Sequence, residues 1–326
     1  MLTNHWYLIC PEKELQKRMI RRKILNEEII IFRNETGAVR ALENRCCHRN
    51  VKLSQGYLDA GQVVCGYHGW KYDSGGICIQ IPSQSAEAKI PQTARIRSYP
   101  ARVFNNWIWV FMGDAEQALS VKIYDIPEMR DWNFTYQSYL FKGDLEFAAE
   151  SLLDPYHIAF AHRNSIKSLL GQIEEFPARF NLEVLADGLA GTYLRSNRGS
   201  FFEKMYFGFD PLITTHYRFY YPTLSRLEAQ FKNRSLLILE QIIKVDNEHV
   251  QMMQITLWKN IFPLFPAFAR FFMSRKSDRI VKEDIALLSS QHDILKRHGE
   301  KLPQVSVKGD EISIAFRKFW RQKMGE

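Results

Sequence analysis

Apolar and polar positions alternate over short stretches in the first third of the chain. Glu28 to Phe32 is a β-branched run, Arg33-Asn34-Glu35-Thr36-Gly37 carries turn residues, and Val39 to Leu42 returns, which predicts a hairpin. Lys71-Tyr72-Asp73, Ser74-Gly75-Gly76 and Ile77-Cys78-Ile79 predict a second. Arg102-Val103-Phe104, Asn105-Asn106 and Trp107-Ile108-Trp109-Val110-Phe111 predict a third, closing this part of the chain. Short strands joined by tight turns suit a small antiparallel domain that carries functional groups on its loop tips. A boundary is placed between Gly113 and Leu119, giving domains 1–115 and 116–326, each long enough for its own core. Beyond it, Gly143 to Ala161 reads as helix, Phe176 to Leu257 as successive strands, and Asp278 to His298 as helix again. The predicted class is α+β, an all-β domain followed by one with an antiparallel sheet and helices. No repeat or low-complexity tract interrupts it.

Composition narrows the class. With 326 residues, 46% hydrophobic and 25% charged, the chain has an ordinary globular make-up. Its five cysteines, at 10, 46, 47, 65 and 78, do not form a secreted disulfide framework and suit a reducing cytosol. The opening Met-Leu-Thr-Asn-His-Trp-Tyr lacks a basic segment followed by an apolar one, so no signal peptide is expected. No run of about 18 uncharged apolar residues predicts a membrane span, and a cytoplasmic location is expected. Asn260 to Met273 is unusually apolar, yet short and broken by two prolines. It reads as core or pocket lid, with a membrane-touching patch as the alternative.

Two ligand pairs decide the chemistry of the first domain. Cys46-Cys47-His48 and Cys65-Gly66-Tyr67-His68 give C-x-H, a gap of 16 residues, then C-x-x-H. Two thiolates and two imidazoles on paired loops are the ligand set of a Rieske [2Fe–2S] centre, where two His replace two Cys on one iron. A structural zinc takes the same residue types. Zinc fingers bring two Cys together and two His together, whereas here each loop supplies one of each. The flanks, Asn44-Arg45-Cys46-Cys47-His48-Arg49 and Cys65-Gly66-Tyr67-His68-Gly69-Trp70-Lys71-Tyr72-Asp73, resemble the Rieske family's C-x-H-R and C-x-x-H-G-W-x-Y-D. Cys47 stands where that family usually has Pro, and Asn50 where it usually has Gly. Of the adjacent thiols only Cys46 gives the one-residue gap to His48, and neighbouring Cβ atoms on extended chain point apart. The predicted cluster ligands are Cys46, His48, Cys65 and His68.

The second domain carries Asp154-Pro155-Tyr156-His157-Ile158-Ala159-Phe160-Ala161-His162, or D-x-x-H-x-x-x-x-H. Two His and a carboxylate form the facial triad of mononuclear non-haem iron, which leaves positions open for dioxygen and substrate. On an ideal helix five residues turn the second His away from the first, so a bulge or kink has to bring the rings together, and Pro155 offers one. Both motifs together resemble the terminal oxygenase (alpha) subunit of Rieske non-haem iron oxygenases, over the length of the chain: Trp6-Tyr7, the cluster loops, D-x-x-H-x-x-x-x-H, and the close near Ile312 to Trp320. Length and order look most like the alpha-only branch, which includes vanillate and dicamba demethylases and saxitoxin-tailoring hydroxylases.

That resemblance implies a helix-grip (START-like) fold for the second domain, iron on His157 and His162, and Asp154 as the carboxylate bridging to a neighbouring subunit's cluster in a homotrimer. Ser151 departs from the family, which often carries Asn in E-N-x-x-D-x-x-H. Candidates for the third iron ligand are Asp278, Glu283, Asp284 and Asp293. Asp284 shares an apolar helix face with Val281, Ile285 and Leu288, while Glu283 lies with Arg279 and Ser290. A carboxylate on such a stripe is costly unless paired or bound to metal. Relatives also carry an E-D-x-x-x-L-x-x-Q-like string here, matched by Glu283 to Gln291, and Asp284 is favoured.

The resemblance implies monooxygenation (hydroxylation or oxidative demethylation) of an apolar or aromatic small molecule with O2 as co-substrate, the alternative being aromatic cis-dihydroxylation. The aromatic content beyond Phe201 suits an apolar pocket or, equally, ordinary core. A Rieske electron carrier and a zinc-stabilised binding protein are the readings without catalysis. No plant-type cluster run or G-x-G-x-x-G fingerprint is present, so electrons from NAD(P)H are expected through a separate reductase, perhaps joined by a ferredoxin. The net charge of +8 is concentrated near the cluster motifs, with 16 Lys and Arg against 10 Asp and Glu up to Ala115, and 28 against 26 beyond. An acidic electron donor fits that excess as well as simple solubility does. A nucleic-acid partner is not expected without a basic stripe on a recognisable module.

Overall fold

Short β-branched and aromatic runs become three small antiparallel sheets in the first part of the computed structural model, which describes residues 1–16, 18–85, 87–163, 165, 181–196, 209–210, 212–231, 234–261, 266–299 and 302–325. The strands are β1 (His5–Pro11), β2 (Ile20–Ile24), β3 (Glu27–Arg33), β4 (Val39–Glu43), β5 (Tyr57–Asp59) and β6 (Gln62–Val64). They continue with β7 (Lys71–Tyr72), β8 (Cys78–Gln80), β9 (Ser98–Tyr99), β10 (Ala101–Phe104) and β11 (Trp107–Met112). The sheets run β1-β11-β10, β2-β3-β4-β9 and β5-β6-β7-β8.

All three predicted hairpins form, each on the turn chemistry its residues supply. β10 and β11 meet through Asn105 and Asn106 at φ 52° and 65°, the positive pair that a tight hairpin turn requires. Between β7 and β8, Asp73 Oδ1 accepts from the amides of Gly75 and Ile77 at 2.9 Å. Every residue of β11 is buried, which is why its run is continuously apolar. The chain divides into two compact units, Met1–Arg130 and Asp131–Glu326, rather than at residue 115. Residues 116–130 stay with the first unit because polar contacts fasten them there: Trp6 Nε1 donates to Val121 O and Asn105 Nδ2 to Asp125 Oδ1, both at 2.9 Å.

In the second unit the strands are β12 (Asn133–Lys142), β13 (Asn181–Leu185), β14 (Gly188–Ser196), β15 (Leu212–Tyr220), β16 (Leu224–Phe231), β17 (Arg234–Lys244) and β18 (His249–Lys259). They form one antiparallel sheet in the order β12-β18-β17-β16-β15-β14-β13. The helices are α1 (Leu145–Ser151), α2 (His157–Ala161), α3 (Pro266–His298) and α4 (Glu311–Met324). The helix expected over Gly143–Ala161 is thus two short helices. Asp144 caps the first, its side chain accepting from the amides of Glu146 and Phe147.

The 33-residue α3 is held along the sheet by side chains of β12 and β18. Gln137 Nε2 donates to Ser274 O at 2.7 Å, the Tyr139 hydroxyl to Asp278 Oδ1 at 2.8 Å, and Thr256 and Ser277 share a buried hydroxyl bond of 2.8 Å. α4 buries Ile312, Phe316, Phe319 and Trp320, a stripe at helical spacing, and ends on Gly325 at φ 82°. The apolar stretch Asn260 to Met273 is described only in part. Its end opens α3, burying Ala269 and Met273 while Phe268 and Phe271 are 51% and 60% exposed. Expected strand residues 176–180 and 197–208, and with them the aromatic stretch opening at Phe201, lie outside the described residues. No helix among those described is long and apolar enough to cross a membrane.

Candidate metal centres

Two loops of the first unit share one backbone design. Cys46 N donates to Val51 O and Asn50 N to Cys46 O, while Cys65 N donates to Trp70 O and Gly69 N to Cys65 O, at 2.9 to 3.0 Å. Each loop therefore turns back, four residues after its Cys, on a left-handed residue: Asn50 at φ 59° and Gly69 at φ 69°. After Gly, Asn adopts this conformation most readily, which is how Asn50 serves where Gly is usual. Arg45 Nη1 also donates to Asn50 Oδ1 at 2.9 Å.

The loops bring sulfur to sulfur and imidazole to imidazole. Cys46 and Cys65 are each 1% exposed and their thiols are in contact; burial, above all, pushes the Cys65 thiol above its ordinary value. The His48 and His68 rings lie 4.8 Å apart between centroids, with His48 stacked on Trp70 at 4.5 Å and His68 exposed. The Tyr72 hydroxyl reaches Cys46 Sγ at 3.1 Å and Cys47 Sγ at 3.3 Å. Cys10 and Cys78 are buried thiols of the core. A single zinc needs all four ligand atoms about 2.0–2.3 Å from one point. Among the described residues, only His157, His162 and Asp284 bring three ligand atoms within 4.8 Å of one another. The loop quartet divides instead into a sulfur pair and an imidazole pair, which fits a binuclear centre with one iron on each.

In the second unit, Pro155 lies in the break between α1 and α2, not inside a helix. Asp154 shapes that break, its Oδ1 accepting from the Tyr156 amide at 2.8 Å. A continuous helix would carry His162 about 140° round from His157. Here His157 opens a five-residue helix and His162 caps it at φ −101°, ψ 22°, leaving the ring centroids 5.3 Å apart. The rings converge because both sit at helix ends, with no kink between them.

The Nδ1 atoms are engaged elsewhere, His157 with Asp154 O at 2.5 Å and His162 with Glu283 Oε2 at 3.0 Å. Both Nε2 atoms therefore face Asp284 Oδ1, at 3.6 Å and 3.2 Å. Outer hydrogen bonds that fix the ring nitrogen in this way are a regular feature of metal-binding His, so this donor set fits a mononuclear iron. Burial alone lowers a histidine's pKa, but the Asp284 and Glu283 carboxylates outweigh it and hold His162 above its ordinary value.

Of the four acids considered for the third position, Asp284 joins the two His. Glu283 supports His162 and accepts from Ser165 Oγ at 2.7 Å. Asp278 bonds Tyr139 and Lys282, and Asp293 is exposed. Ser151, where relatives carry Asn, donates to Ala148 O within its own helix. Beside the triad opens a cavity of about 180 Å³. Leu227, Leu236, Ile238, Met273 and Ile280 make much of its wall apolar, and Glu240 and Gln254 also line it. Gln254 Nε2 donates to Glu240 Oε1 at 2.7 Å. Burial, then the charge of Asp284, pushes the Glu240 carboxyl up to about 7.

Residues 5–100 match the Rieske [2Fe-2S] domain family, and residues 141–326, more than half of the chain, match the vanillate O-demethylase oxygenase C-terminal domain family. The chain belongs to the Rieske oxygenases. It is 33% identical over 170 residues to the 4beta-methylsterol monooxygenase of Methylococcus capsulatus, covering 50% of this chain and 46% of that protein. To the vanillate O-demethylase oxygenase subunit of a Pseudomonas species it is 30% identical over 182 residues, 55% of this chain and 50% of the relative. The chain thus spans about half the length of these curated relatives. The crystal structure of dicamba monooxygenase bound to dicamba shares the fold, with a TM-score of 0.85 at 18% identity, covering 100% of this chain and 99% of that one.

Two acids near the triad of this Rieske oxygenase escaped the sequence reading. Glu283 was weighed as a ligand and not as a ligand's support. Glu240 carried a signal that went unused: it interrupts the apolar run Leu236 to Ile243, where a charged side chain is costly without a purpose.

Proposed function

We propose that this chain is the oxygenase component of a Rieske system that inserts one oxygen atom into an apolar or aromatic small molecule, by hydroxylation or oxidative demethylation. Relatives whose names read monooxygenase and demethylase support that reaction class. In this reading Cys46, His48, Cys65 and His68 hold a [2Fe–2S] cluster, and His157, His162 and Asp284 hold a mononuclear Fe(II). The observation that carries the reading is the three-ligand group opening on a largely apolar cavity, in a chain that also holds the Rieske loops. Iron at the triad would supply dioxygen activation, drawing on electrons that enter through the cluster.

The chain's own residues do the positioning. The Asp154 carbonyl holds His157 and the Glu283 carboxylate holds His162, so both present Nε2 to the metal position. The apolar cavity wall excludes water and seats the substrate beside the triad. The exposed His68 leaves the cluster edge open to an electron donor, a separate reductase with or without a ferredoxin. Relatives named as subunits of larger systems support that division of labour. Asp154 is assigned the bridging role toward the cluster of a neighbouring copy in a homotrimer.

Metal and acid-labile sulfide analysis of anaerobically purified protein, with electron paramagnetic resonance before and after dithionite, tests the reading. About three irons and two sulfides per chain, with a Rieske-type signal on reduction, are expected. Zinc without sulfide would overturn the cluster, the electron supply and the reaction together.

A further inference from the structure

The floor of the cavity is one face of the sheet, read in rows two residues apart. Pairing across β15, β16 and β17 sets Thr215, Ala229 and Leu236 in one row, and Tyr217, Leu227 and Ile238 in the next, with Thr256 of β18 opposite Ile238. The row after that holds Glu240 opposite Gln254. Residues two apart on a strand share a face, so Leu236, Ile238 and Glu240 follow one another along β17 into the cavity. Glu240 stands at the triad end of this floor, where the charges of Asp284 and His162 act on it.

The Glu240–Gln254 pair has more acceptors than donors. Gln254, 4% exposed, gives Nε2 to Glu240, and its own Oε1 is buried with no hydrogen-bond partner. No lysine or arginine pairs with Glu240 among the described residues. Lys276, the lysine among the described residues that line the cavity, lies 5.9 Å from the Phe272 ring centroid. Buried acceptors left in this state are costly, and a ligand that donates to them recovers the loss. An anionic ligand brings no donor and adds charge beside the Glu240 carboxylate.

We infer that the Glu240–Gln254 pair is the polar anchor of the substrate cavity, taking the hydroxyl of a neutral, otherwise apolar alcohol or phenol and turning away carboxylates and sulfonates of the same skeleton. The hydroxyl O–H donates to this pair while the hydrocarbon body covers Leu227, Leu236 and Ile238. This substrate class rests on the oxygenase reading for its meaning, but the binding it describes does not depend on iron.

Isothermal titration of the iron-loaded protein with 2-naphthol, 2-methoxynaphthalene and 2-naphthoate tests it. The phenol is expected to bind about tenfold or more tightly than either analogue, since losing one hydrogen bond to a buried group costs at least that much. Glu240→Leu should bring the ratio of phenol to ether close to one. Glu240→Gln, which removes the charge but keeps one accepting oxygen, should keep a preference for the phenol over the ether and raise the affinity for naphthoate. Equal binding of phenol and naphthoate by the wild type, no measurable binding of any probe, or an unchanged ratio in folded Glu240→Leu would overturn the anchor. The same titrations on Asp284→Ala, which lacks a triad carboxylate, separate the two claims. A hydroxyl preference in wild-type protein that takes up no triad iron would leave the anchor standing while the oxygenase reading fell, and its loss in Asp284→Ala alone would tie the anchor to the metal site.

Discussion

Replacing Glu240 by Gln should make the second unit more stable, and increasingly so as pH rises. Glu240 has its carboxyl raised from 4.5 to about 7, chiefly by burial. A group raised on folding contributes fully below its unfolded pKa, and that contribution is lost as pH climbs through the folded one. Ionised Glu240 therefore weighs against the folded state above neutrality. That rise corresponds to roughly 3 kcal/mol at pH 8.5 but only about 1 kcal/mol at pH 5. Glutamine keeps the shape, can still accept from Gln254 Nε2, and carries no charge to bury. Metal-free Glu240→Gln should thus exceed the wild type by about 3 kcal/mol at pH 8.5, a rise of order 6–12 °C in melting temperature for a unit of this size. The gap should shrink by about 2 kcal/mol on going to pH 5. Denaturant titrations at the two pH values read it directly. Iron at the triad would neutralise Asp284, the second cause of the shift, so the gap should narrow in loaded protein. A gap that does not change with pH would refute the reasoning, because Glu240 would then be an ordinary solvated carboxylate.

Metal removal should show the complementary pH dependence at His162. Its pKa is raised above 6.5, so in metal-free protein its contribution is present below that value and fades as pH rises through the folded value. The gain in melting temperature on adding Fe(II) anaerobically should therefore grow with pH, and a gain that shrinks would remove His162 from the site. At the cluster loop, Asn50→Gly should leave stability within about 0.5 kcal/mol, whereas Asn50→Ala, forced to φ 59°, should cost about 1–2 kcal/mol and speed cluster loss on dilution. Visible absorbance followed over time checks this, and a harmless Ala would show that the loop does not need its left-handed residue.

What could be read in the sequence followed local chemistry. The hairpins at Asn105-Asn106 and Asp73 to Ile77 declare themselves because the turn residues and the flanking strands agree. β2 and β3 also meet in a two-residue turn with both φ values positive, but one of its residues is Leu25, which gives no turn signal. β12 went unread because two of its side chains that meet α3, Gln137 and Tyr139, are polar, and their partners lie about 140 positions away. The paired Cys and His motifs announced two matched loops, whose thiols and imidazoles the fold brings together in pairs. The five-residue spacing of His157 and His162 was legible only as a difficulty, since no periodicity announces a one-turn helix with a histidine at each end.

The choice between Glu283 and Asp284 shows how the fold settles what spacing leaves open. The two acids are neighbours on α3, about 100° apart around its axis, and both reach His162, one at each ring nitrogen. Which becomes the inner carboxylate depends on the rotation of the helix. Ser277 lies seven residues before Asp284, nearly two full turns, and so points the same way. Its buried bond to Thr256 pins that face to β18, and Val281 and Leu288 bury the same stripe. A rotation by one residue would break the Thr256 bond, expose Val281 and put Glu283 where Asp284 stands. The apolar stripe through Asp284 is therefore the sequence record of a helix rotation, and a hydroxyl pair two turns away holds that rotation in place.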